Sequence, residues 1–279
     1  MLSRRLVFIG ALWLASGAFL LSKSGRKRGS DAALNAARLG EYATRLGERQ
    51  NVKIGFGDPE TFYVPPYRPA VAQVQGTIFE RVDLGAVPDS LRGIARAFDA
   101  YPDKCLGRII KAIFIVGSVR FDDTEAEGGG TYGPDWIFLA APRDASPGSR
   151  ALTAEFGVHH ETSSFLWLRD PELRKAFRDL QPADWHWATN TTDELAGADA
   201  AAPPLETGFL SAYGATTDEN DFNIYAETVF FNPARLKNLA GRLPLIARKL
   251  ALVLDAYIRV DERLRDTFSR NGLLQVARR

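Results

Sequence analysis

The sequence predicts an α+β fold, on three observations. Helical stretches dominate the chain. A strongly β-branched, apolar run occupies residues 110–119. A second apolar run, residues 136–140, follows a glycine-rich turn and precedes a long helical stretch over 149–168. Short strands gathered ahead of one helix, with helices elsewhere, predict a small sheet packed on that helix.

The elements follow in order. Arg4 and Arg5 precede an uncharged run over residues 6–21. As a helix this run would be about 24 Å long, short of a roughly 30 Å hydrocarbon core. That length suits a signal-peptide core or a short membrane anchor, and Ser16-Gly17-Ala18 offers a small-x-small cleavage site. Lys23, Arg26, Lys27 and Arg28 outweigh the leading arginines, so charge does not set the orientation. Ser30 or Asp31 caps a helix to residue 49, with Leu34, Leu39, Tyr42 and Leu46 on one stripe. Residues 52–56 and 71–82 read as strands, and the proline-rich stretch 59–69 between them as an ordered loop. A helix spans 88–98, and residues 104–109 resume it after Pro102.

Residues 110–119 then form a buried strand, 128–133 a turn and 136–140 the next strand, which is taken as the sheet edge. The helix over 149–168 places Leu152, Phe156, Ser163 and Leu166 roughly on one face. Short and longer helices follow at 171–180, 218–231 and 244–268, with a surface loop over 191–204. No internal repeat is present. Two units result: a signal or anchor segment, 1–29, and an α+β domain, 30–279.

Composition narrows the function classes. Hydrophobic residues make up 46% and charged residues 25%, as in an ordinary folded domain. The formal net charge of +1 provides no basic excess for nucleic-acid binding. One cysteine, Cys105, cannot form an internal disulfide or a cysteine zinc site.

Two segments carry candidate chemistry. The first is Phe156-Gly157-Val158-His159-His160-Glu161-Thr162-Ser163-Ser164. A zinc hydrolase needs two histidines one helical turn apart, and a carboxylate beside the first to take a proton from metal-bound water. His160-Glu161 supplies the first half, but Ser164 stands one turn on, and a hydroxyl is a poor zinc ligand. His159 points about 100° away from His160. The second segment runs from Tyr213 to Glu227 and places Glu219, Asp221 and Glu227 on or near one helix. The remaining imidazole, His186, lies between Trp185 and Trp187 at a spacing that fits no motif.

Together these segments resemble the zincin metallopeptidases, specifically the gluzincin branch that includes lethal-factor-like toxins. In that branch an HExxH helix is followed by a helix close to Y-x-x-T-N-E-x-E-F-x-A-E. Thr217-Asp218-Glu219-Asn220-Asp221-Phe222 and Tyr225-Ala226-Glu227 are similar, with two extra residues before Ala226. The resemblance covers about residues 88–231, and the order of the motifs carries more weight than any one of them. It implies a zincin-like fold in which zinc sits on His160 and Asp221, Glu161 is the general base, and Tyr213 supports the oxyanion.

The departure at Ser164 leaves that zinc motif incomplete. Two functional expectations follow. One is a zinc-dependent metallopeptidase of the cell envelope, acting on a peptide or protein laid along the sheet edge. The other is an inactive pseudo-peptidase, a peptide-binding or scaffold protein held at the membrane by its N-terminal segment. A protein of the envelope with no site at all is the third. The two zincin readings both require His160, Glu161 and a carboxylate from residues 219–227 to converge.

Overall fold

The computed structural model describes residues 30–59, 77–121, 124–126, 129–132, 134–188, 197 and 200–277. The N-terminal segment 1–29, nearly all of the 59–69 loop and most of 191–204 lie outside these residues. In chain order the helices are α1 (Ser30–Gln50), α2 (Val87–Asp99), α3 (Pro147–Arg169), α4 (Pro171–Arg178), α5 (Asp218–Phe231), α6 (Pro233–Ala240), α7 (Pro244–Val260), α8 (Leu264–Arg270) and α9 (Leu273–Ala277). The strands are β1 (Lys53–Phe56), β2 (Thr77–Phe79), β3 (Ala112–Val116), β4 (Val119–Phe121), β5 (Thr124–Ala126), β6 (Gly129–Tyr132) and β7 (Trp136–Ala140). This is a mixed α+β molecule with one small four-stranded sheet.

That sheet has the order β1-β3-β7-β6. β3 pairs in parallel with both β1 and β7, while β6 runs antiparallel to β7. All five residues of β3 and of β7 are buried, which is why both read as unbroken apolar runs. α3 lies against β6 and β7 on one side and packs on α2 and α5. Gly93 permits the α2–α3 crossing, because a Cβ there would sit 2.0 Å from the Ala151 carbonyl oxygen. A second sheet, β2-β4-β5, is antiparallel throughout.

Three expectations need correction. The strand expected over 110–119 divides at Gly117, where a Cβ would meet the Arg81 carbonyl oxygen at 2.7 Å, and its tail joins the second sheet as β4. Residues 136–140 are interior, and the edge is β6, inside the stretch read as a turn. Gly130 explains the misreading: a Cβ there would lie 2.4 Å from the Phe138 ring, so glycine lets the edge strand cross that ring. The helix expected over 244–268 breaks after Val260, where the Asp261 carboxylate accepts from the Arg263 backbone N–H and guanidinium.

Candidate functional site

The site begins with a run of polar residues that has no access to solvent. His159 through Ser164 sit in the middle of α3 and are all 0–1% exposed. Polar groups in such surroundings require partners. β6 and β7, α2 and α5 all pack on α3 and enclose this stretch.

His159 serves packing. Its Nδ1 lies 2.9 Å from the Tyr101 hydroxyl, and its ring stacks on Phe230 with centroids 5.1 Å apart. Burial pushes its pKa down to about 3, so the imidazole is neutral.

His160, one residue on, faces α5. Its Nδ1 lies 2.5 Å from Glu227 Oε1, and its Nε2 lies 3.2 Å from Asn223 Nδ2. A carboxylate on one side and an amide N–H on the other fix the tautomer: Nδ1 donates and Nε2 accepts. Asn223 donates its other amide proton to Ser164 Oγ at 2.8 Å. The Ser163 hydroxyl donates to Asn223 Oδ1 at 2.6 Å, sharing its proton with the His160 carbonyl at 2.7 Å. Every polar atom of the Asn223 side chain is therefore used. His160 and Ser164 are one turn apart on α3, as Asn223 and Glu227 are on α5, so two helical faces meet pair to pair.

Glu161 points under the edge strand. A Cβ on Gly129 of β6 would lie 3.4 Å from Glu161 Cγ. Glu161 is fully buried, and neither carboxyl oxygen has a hydrogen-bond partner among the described residues. Burial, reinforced by Glu219 and Glu227, pushes its carboxyl well above the usual range, toward the protonated form. Tyr213 begins a 3₁₀ turn just ahead of α5, and its buried ring stacks on the His160 ring with centroids 5.9 Å apart. Thr217 caps α5 by accepting from the Asn220 N–H at 3.0 Å.

Asp221, the expected third zinc ligand, is directed elsewhere. Its Oδ2 accepts hydrogen bonds from Lys249 Nζ at 2.6 Å and from Gln181 Nε2 at 2.9 Å. Lys249 is itself fully buried, donates also to the Gln181 and Gly208 oxygens, and lies 4.4 Å from the Phe209 ring centroid. Burial drives Asp221 up and Lys249 down, each against the pull of the other. The reason for the misplacement is helical phase: residues 221 and 223 are about 200° apart around α5. His186 is exposed, while Trp185 and Trp187 pack on Phe209.

Asn223 is thus the α5 residue that faces His160 and Ser164, which the sequence reading did not single out, and Glu227 is the carboxylate that meets His160. The available signal was the four-residue spacing of Asn223 and Glu227, which matches that of His160 and Ser164. Aligning Ala226-Glu227 without the two extra residues would have brought Asn223 to the third-ligand position.

These groups do not fit zinc. A carboxamide and a hydroxyl face the one imidazole, and both are weak zinc donors. The Nε2 lone pair that would bind metal already accepts from Asn223. Among the described residues, no group of three or more His, Cys, Asp or Glu side chains is placed to hold a metal ion. No protein-family model, curated protein or solved structure matches the chain.

Proposed function

We propose that this chain is a catalytically silent pseudo-peptidase of zincin type, which binds extended peptide at the β6 edge and is held at the membrane or envelope by residues 1–29. One observation carries the reading: the outward nitrogen of His160, Nε2, faces the Asn223 amide at 3.2 Å, while Glu227 holds Nδ1 on the other side of the ring. A metal at that nitrogen would have to displace the Asn223 amide. Glu161 supports the same reading, because a general base must be ionised and in contact with the water it activates. The burial of Glu161 favours the neutral acid. Peptide binding is favoured by the sheet: β6 is a terminal antiparallel strand, and an added strand gains backbone hydrogen bonds there.

Zinc titration of the purified full-length chain, with a peptidase assay on unstructured protein substrates, tests the reading. The expected result is less than stoichiometric zinc and no hydrolysis above a heat-inactivated control. One zinc per chain, with hydrolysis abolished by Glu161→Gln, would replace this reading with an active metallopeptidase.

A further inference from the structure

The mismatch with zinc is itself informative, because the side chains that fail to bind metal still meet at one point. Asn223 Nδ2 lies 2.8 Å from Ser164 Oγ and 3.2 Å from His160 Nε2. One atom of α5 thus stands between two groups one turn apart on α3. That is a three-cornered arrangement with a nitrogen donor where an ion would be shared. We infer that His160, Ser164 and Asn223 form a metal site converted into a hydrogen-bonded plug, and that restoring donors at 164 and 223 alone recreates zinc binding. This inference rests on the zincin reading above and adds to it the identity of the third corner and the two positions that lack a metal donor.

Two further features support it. The first is Glu227. A histidine that binds a metal through one nitrogen commonly donates its other N–H to a carboxylate, which fixes the ring and raises its basicity. His160 has that partner at 2.5 Å. The carboxylate has no need of a metal to be stable, but its position leaves the Nε2 lone pair facing outward, toward the Asn223 amide. The second is the burial of the polar run. Ser163, Ser164 and Asn223 are each fully buried, within a polar stretch that α3 and α5 share. An asparagine held by three partners fills the role that a bound ion would fill: it satisfies His160 and joins α3 to α5. Asp221 takes no part, being held by Lys249 on another face of α5.

The test uses three forms of the full-length chain: the natural one, the double variant Ser164→His/Asn223→Glu, and the same double variant with His160→Ala. Zinc is added to metal-stripped protein and measured by titration calorimetry and metal analysis after desalting. The expected result is no retained zinc in the natural chain, about one zinc per chain in the double variant, and loss of that zinc with His160→Ala. A double variant that is folded by circular dichroism but retains no zinc overturns the inference and leaves the pseudo-peptidase reading intact. Stoichiometric zinc in the natural chain overturns both. If the double variant does not fold, a double-mutant cycle with Ser164→Ala and Asn223→Ala decides. A plug requires that the shift in denaturation midpoint of the double alanine variant be clearly smaller than the sum of the two single shifts. Additive shifts overturn it.

Discussion

Glu161 holds two carboxyl oxygens in a buried space where the described residues supply no donor, with Glu219 and Glu227 adding negative charge nearby. The folded protein therefore keeps a proton there that the unfolded chain releases above its ordinary pKa near 4.5. Stability from this group is complete below that value and falls as pH rises toward the folded pKa, by about 1.4 kcal/mol per pH unit. Glutamine has the same shape and no charge to bury. Urea midpoints of the natural chain should therefore drop between pH 5 and pH 8, and Glu161→Gln should flatten that slope. Parallel profiles for the two proteins would show that Glu161 is solvated. At this scale the sequence was only partly legible. The pattern His160-Glu161 was visible because it is local. The roles of Asp221 and Asn223 were not, because they depend on the phase of α5 against α3, and a helix two residues out of register presents another face.

Elements were more legible than sites because their signals are short-range. Ser146, Asp170, Thr217 and Asn232 each accept a hydrogen bond from the backbone N–H three residues on, and all four open helices. Pro147, Pro171 and Pro233 follow three of these caps directly. The apolar runs of β3 and β7 identified themselves by burial on both faces. β6 did not, since two of its four residues are glycines whose role is to clear Phe138 and Leu139. As the sheet edge, β6 is where an extended ligand would add. Labelled peptides selected from a random library should bind the full-length chain, and a central proline should weaken them by about tenfold, because proline removes a backbone donor and cannot complete a ladder. Binding that ignores proline would place the ligand off the sheet edge.

At the scale of the molecule, α3 joins the main sheet to the helices: α2 and α5 pack on it, and the β6–β7 side of the sheet covers it. The two apolar strands and the helix that packs on them were legible from the order of motifs along the chain, whereas the edge of the sheet and the site were not. Among the described residues no helix is long and apolar enough to cross a membrane. The proposed targeting rests on residues 1–29, whose uncharged run follows Arg4 and Arg5. A tagged full-length chain is expected in the membrane or exported fraction, with deletion of residues 1–29 moving it to the cytosolic fraction. Recovery of both forms in the cytosol would remove the envelope from the proposal.

The mutual grip of Ser164 and Asn223 also bears on the history open to such a chain. Ser164→His alone would drive an imidazole into the space of the Asn223 amide. Asn223→Glu alone would strip Ser163, Ser164 and His160 of their shared partner and add a fourth carboxyl group near Glu161, Glu219 and Glu227. Each single step leaves buried polar groups unmatched, typically at about 1–3 kcal/mol apiece. Both steps are needed before an ion can compensate. With the hydrogen-bonded arrangement in place, either single substitution is expected to lower stability. A lineage that entered this state by drift would then be held there without any selection against catalysis, by the difficulty of making two correct substitutions together.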